Sequence, residues 1–309
     1  MLYKVNIYRD SNIESQHSVL VTDLDSEKGF NLYLRSSFKP FQLLPFVANG
    51  GIEEFGLDDS ALAIFTSSHS GEEQHTDLLM SILKKFNIDE ELLFCKPHWP
   101  LNAAYSSKMA AIGNQPSRIH NNCSGKHISM LLMCKLFGFS TDMYFDKNHK
   151  LQKLIFEYLS NIFHIKIDDI GIDGCSTPIP FLNSKIIVDS ANQLSKGHGD
   201  NSLAWNKIIH AMKKNPYLVA GTGRFDSILM DKADGNLMAK VGAEGVILLQ
   251  SDEKTIIMKA LDGGRRGVEL LASHFSKENN FITDYEFEIE KEVIYNKQNE
   301  LVGHIEITK

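Results

Sequence analysis

The 309-residue chain has no surplus of positive charge: 32 Lys and Arg against 39 Asp and Glu leave a net charge of −7. A basic field able to attract nucleic acid is therefore missing. No apolar run reaches the roughly 18 residues a membrane helix needs, so no membrane partner is expected. The opening stretch, MLYKVNIYRDSN, carries Lys4, Arg9 and Asp10 and no apolar run, so no secretory signal is expected either. Cysteine is scarce, at four (Cys95, Cys123, Cys134 and Cys175), with no C-x-x-C pair. Without a signal, such a set points to reduced thiols, not a disulfide framework. Internal repeats and low-complexity linkers are also absent. What is present is an ordinary 23% of charged residues and 43% of apolar ones, enough for a sizeable core. A cytoplasmic enzyme is the expectation.

Hydrophobic periodicity divides the chain. KVNIY and HSVLVTD near the start read as strands, as do LMAKVGAEGVILLQ, KTIIMKAL, YEFEIEKEVIY and HIEIT near the end. Between them, HTDLLMSILKKF, KHISMLLMCKLFG and LQKLIFEYLSNIF carry helical stripes. This predicts an α+β fold: one antiparallel sheet from both chain ends, about 1–35 and 215–309, around a mainly helical middle, about 36–214. A single catalytic domain over 1–309 is expected, since Gly50-Gly51 and SKGHGDN (195–201) are punctuation without being clear linkers.

Several short segments carry chemistry. In LRSSFKPFQ, Ser36 precedes Lys39 by three residues, and on a helix the two share a face. An amine there could take the hydroxyl proton if burial or another cation lowers its pKa. Serine is equally a routine helix N-cap. Lys39 precedes Pro40, so a helix can begin near this point. TSSHSGE (66–72), with Ser68 and His69, follows the apolar ALAIF and reads as a strand ending in a polar turn, either a site or a cap for the next helix. IHNNCSGKH (119–127) places Asn122 and Gly125 at a helix start, where backbone N–H groups can bind an anion. Cys123 and His127 could share a metal with Cys175 of DGCSTP, or each cysteine could be a small buried hydrophobe. In GTGRFD, Arg224 could clamp a carboxylate or simply pair with Asp226. Lys240-Val241-Gly242 reads as a strand that could face the Ser36 helix, and KALDGGRRG as a strand end turning into a helix.

Taken in order, RSSFKPFQ, SSHSGE, PHWP, HNNCSGKH, DGCSTP, GTGRFD, KVGAEG and DGG resemble the asparaginase II family, the rhizobial-type, thermolabile L-asparaginases, from about residue 3 to about residue 267. The resemblance implies a fold similar to serine β-lactamases and glutaminases, hydrolysis of L-asparagine to L-aspartate and ammonia, and a homodimer. It also implies two Ser–Lys pairs, Ser36 with Lys39 and Ser68 with Lys240, and a zinc ion on Cys123, Lys126 and Cys175. Substrate contacts would come from Arg35, His69, Asn122, Asp173, Arg224 and Gly242, with the α-carboxylate near Arg35 or Arg224 and the amine near Asp173. The chain departs from the family where Ser176 replaces a usual glycine, in MKALDGG, and in being shorter between about 185 and 205. Rival readings are a glutaminase or another Ser-x-x-Lys amidase, a zinc-dependent amidohydrolase using bound water, and a ligand-binding protein that keeps the pocket without turnover.

Overall fold

The computed structural model describes residues 1–282 and 293–309. Its strands are β1 (Leu2–Arg9), β2 (Asn12–Thr22), β3 (Asn31–Tyr33), β4 (Ile170–Ile172), β5 (Pro178–Asn183), β6 (Met238–Gly242), β7 (Val246–Gln250), β8 (Thr255–Ala260), β9 (Val293–Tyr295) and β10 (Leu301–Thr308). Its helices are α1 (Lys39–Ala48), α2 (Gly51–Phe55), α3 (Asp59–Phe65), α4 (Glu73–Lys85), α5 (Ala103–Ala111), α6 (Ser124–Phe137), α7 (Lys150–Phe163), α8 (Ser184–Ser195), α9 (Ser202–Lys214), α10 (Pro216–Val219), α11 (Phe225–Lys232) and α12 (Arg265–Glu278).

The two chain ends meet in one antiparallel sheet, ordered β6-β7-β8-β2-β1-β10-β9. This is the α+β arrangement that the terminal strand patterns predict. In β1 and β2, Val5, Ile7, Val19 and Val21 are fully buried at every second position and point to the covered face, although Asn6 and Thr22 between or beside them are buried as well. β6 and β7 are instead buried at every position. Helix α12 packs on β7 and β8, while α9 and α11 pack on β6 and α8 on β8, so these strands lie between two layers. YEFEIEKEVIY lies largely outside the described residues, and only its end is seen as β9.

Two features differ from the sequence reading. ALAIF, read as a strand, is the body of α3. Asp58 caps that helix by accepting the Ala61 N–H at 3.1 Å, and a five-residue apolar run has no period to tell a buried strand from a buried helix. A second sheet, β3-β5-β4, also forms in the helical middle. Its central strand carries Pro178 and Pro180, which argue against a strand when read locally. β5 manages because β4 pairs with its first half and β3 with its second.

Candidate active site

β3 leads into a tight 3-10 turn, Arg35–Phe38, which runs into α1 at Lys39. Pro40 falls in the first turn of α1, where a missing N–H costs nothing. Below the turn, Phe41 stacks on Phe38 at 5.4 Å and on Trp205 at 4.5 Å. Arg35, just before Ser36, has φ +53. That left-handed conformation costs a residue with a Cβ about 1–3 kcal/mol, so the surroundings must hold it. They do: Arg35 Nε donates to Asp173 Oδ1 at 2.6 Å, and Ser37 Oγ donates to the Lys240 carbonyl at 2.7 Å. Gly242 lets β6 approach this turn, since a Cβ there would lie 2.5 Å from the Leu34 carbonyl.

Lys39 is 1% exposed. Its Nζ donates to the Ser67 carbonyl, lies 3.3 Å from the Asn122 carbonyl and 3.1 Å from Ser68 Oγ. The two carbonyls can only accept. The Ser68 hydroxyl, which here accepts from Lys39, is the one partner of the three that could also donate. The expected pairing is thereby redistributed. Lys39 bonds Ser68, and Ser36 Oγ, half-buried three residues earlier, makes no hydrogen bond among the described residues.

Ser68 is fixed by its backbone. Its N–H donates to the Val219 carbonyl at 2.9 Å, and Ser70 N–H donates to Ala220 O at 2.7 Å, stitching residues 68–70 to the segment before Arg224. Glu72 adds to the seam by accepting the Thr222 N–H at 2.9 Å and its hydroxyl at 2.7 Å. His69 has no ring nitrogen left for a ligand. Gly71 N–H donates to its Nδ1 at 3.1 Å, and its Nε2 meets Ser124 Oγ at 2.8 Å. Because Ser124 Oγ donates to Ile119 O, His69 Nε2 must carry the proton. Full burial, with His75 and Lys39 nearby, holds its pKa well below the usual value. His98 of PHWP does similar structural work, its Nε2 accepting the Asn122 N–H at 3.0 Å.

Lys240, expected beside Ser68, instead bonds Asp226 Oδ2 at 3.4 Å and the Val241 carbonyl at 2.9 Å. Burial lowers its pKa to about 8, with Asp226 opposing and Lys39 and Arg224 adding to the fall. Arg224 stands at the N-cap of α11, and its buried Nε finds no partner among the described residues. Asp226 entered the sequence reading only as a possible partner for Arg224. Its pairing with Lys240, fourteen residues on, depends on how α11 packs against β6.

Cys123, Lys126 and Cys175 come together. Lys126 Nζ donates to Cys175 Sγ at 2.8 Å and to Thr177 Oγ1 at 2.6 Å. Burial works against the Lys126 charge, but Cys175, Cys123 and Asp173 outweigh it and raise its pKa. A hydrogen bond from Cys123 and the Lys126 charge hold Cys175 well below an ordinary thiol, against burial, and that same bond drives Cys123 up. Ser176 has φ +72, the conformation glycine adopts without strain. Among the described residues, no group of three or more His, Cys, Asp and Glu side chains is arranged to hold a metal ion. Two sulfurs and an amine do converge, and that donor set fits zinc once all three have lost their protons.

Among solved structures, a Bacteroides dorei DSM 17855 protein provisionally described as a beta-lactamase is similar, with a TM-score of 0.44 and 10% identity over 90% of this chain and 92% of that one. No curated protein matches the chain. The model of the family described as L-asparaginase II matches residues 5–307. The match takes in both lysine sites, the thiol cluster and the two-ended sheet, and the chain belongs to the L-asparaginase II family.

Proposed function

We propose that the protein hydrolyses L-asparagine to L-aspartate and ammonia through a seryl ester. The observation that carries this reading is Lys39: one buried amine, held by two carbonyls, serves the Ser68 hydroxyl and sits three residues from Ser36. Arg35 and Asp173, paired at 2.6 Å, offer a cation beside an anion. That combination suits the α-carboxylate and α-ammonium of a free amino acid. Ser36, at the more accessible end of the site, attacks the side-chain amide. Its proton passes to Lys39, with Ser68 the hydroxyl to which that amine already bonds. Ammonia leaves, and water cleaves the ester. Cys123, Lys126 and Cys175 would hold zinc, whose charge would keep them deprotonated and help orient the substrate.

The test is ammonia release from L-asparagine and L-glutamine by the purified protein, beside Ser36→Ala and with a chelator. Hydrolysis of asparagine, cut about 10⁴-fold or more in Ser36→Ala and only partly by chelation, supports the reading. A fully active Ser36→Ala that chelation silences would make it a zinc hydrolase. Glutamine adds one methylene, which a pocket discriminates by only about 1–3 kcal/mol, so a glutaminase is told apart by the ratio of the two rates. The Lys39–Ser68 bond favours a second reading in which Ser68 carries the acyl group; peptide mapping of an acid-quenched reaction separates the two. Sedimentation would test the homodimer implied by the family.

A further inference from the structure

The Asp226–Lys240 pair is buried with few hydrogen bonds among the described residues. Both side chains are 0% exposed and 3.4 Å apart. Asp226 Oδ2 also accepts the Val241 N–H at 3.3 Å, but Oδ1 is buried with no partner among the described residues. A buried ion pair repays its desolvation only when its remaining lone pairs are satisfied, and here one oxygen is not. The pair's position gives it another use. Ser37 Oγ grips the Lys240 carbonyl, and the approach at Gly242 sets β6 against the turn that carries Ser36 and Lys39. We propose that Asp226 is a positioning residue that keeps Lys240 in its ammonium form beside the Ser36–Lys39–Ser68 group, so that Lys240 protonates the departing ammonia while Lys39 deprotonates the attacking serine. This rests on the asparaginase reading above.

The groups facing Lys240 make the dependence specific. Arg224 at the head of α11 and Lys39 on α1 both disfavour its charge, as does burial. Glu269 on α12 lies near Asp226 and Arg224. Of the charged groups that act on Lys240, Asp226 is the one that favours the ammonium, beside the Val241 carbonyl that accepts from it at 2.9 Å.

The protons balance. In acylation the serine O–C bond forms, the C–N bond breaks, Lys39 takes the serine proton and Lys240 gives one to the NH₂ group, releasing NH₃. In deacylation the neutral Lys240 takes a proton from the attacking water, and Lys39 returns its own to the serine oxygen. The aspartic acid formed then ionises to solvent.

The test compares the full-length wild type with Asp226→Asn. One readout is the pH profile of asparagine hydrolysis; the other, independent of turnover, is NMR titration of isotopically labelled lysine, with Lys240 assigned from Lys240→Gln. In the wild type, the Lys240 resonance titrates near the basic limb of kcat. In Asp226→Asn both move down by about one pH unit or more. Then kcat falls about 10²-fold near neutrality with KM little changed, and the loss shrinks toward acid pH. An unmoved Lys240 titration, or a loss of equal size at every pH, overturns the proposal. If Asp226→Asn does not fold, the wild type still decides: a Lys240 already neutral at pH 6 overturns it. If no ammonia is released at all, the asparaginase reading fails, while the titration still judges the pair.

Discussion

Lys126 and Lys240 are both buried, at 3% and 0% exposure, yet their environments push them in opposite directions. Beside Lys126 the two sulfurs, with Asp173, outweigh desolvation and raise its pKa. Beside Lys240 one carboxylate at 3.4 Å does not, and the value falls to about 8. Burial alone therefore says little about a lysine; the number and closeness of anions decide. A fixed cation suits a structural cluster and must give up its proton before a metal can bind, whereas a proton that leaves near neutrality suits acid–base chemistry.

The largest expected effect removes the amine that should do chemistry. Lys39→Met should lower kcat by about 10⁴-fold or more, and adding Ser36→Ala should cost little further if the two act as a unit. Additive losses in single-turnover assays would break the pairing. Next comes the thiol cluster. Cys175→Ala removes the main anion from Lys126 and should destabilise the fold by about 3–5 kcal/mol in denaturant titrations. A stable Cys175→Ala would show that the sulfurs do not hold Lys126 as described.

The sharpest contrast is the double variant Asp226→Leu with Lys240→Met. It should lose activity yet be as stable as the wild type, or more so by about 1–4 kcal/mol. Its advantage should depend on pH. Because the folded Lys240 value lies below the unfolded one, the unfolded chain holds the extra proton between about 8 and 10.5, so the wild type gains stability as pH rises through that window. The variant's margin should accordingly be widest below pH 8 and narrow toward 10.5, which thermal melts at several pH values would read. The smallest effect belongs to the spacing between the regions. Gly242→Ala pushes a methyl toward the Leu34 carbonyl and should cost about 1–3 kcal/mol, with lower kcat, by calorimetry and kinetics.

Much of this was readable in the sequence because long stripes bury one face. HTDLLMSILKKF and LQKLIFEYLSNIF became α4 and α7. The segments that line the candidate site were also marked, since Ser36, Lys39, Ser68, Cys123, Lys126, Cys175 and Lys240 all lie in the short motifs quoted above. Their partners were not. Which hydroxyl Lys39 reaches depends on where α3 ends, and ALAIF was read as a strand. That Lys240 meets Asp226 and not Ser68 depends on helix–strand packing that no local spacing encodes. His69 looked like a ligand because it sits among serines; only the hydrogen bonds of Gly71 and Ser124 show both of its nitrogens in use.

Lys39 is gripped by the carbonyls of Ser67 and Asn122, and Ser68 and Ser70 by those of Val219 and Ala220. Every residue type supplies a carbonyl. What these grips require is the path of the main chain, while the side chains of Ser67, Val219 and Ala220, all fully buried, are constrained separately by the packing around them. A substitution at any of the four residues that supply a carbonyl should therefore act by shifting the main chain, so that its damage reaches Lys39, Ser68 and Ser70 through packing and not through a lost side-chain partner.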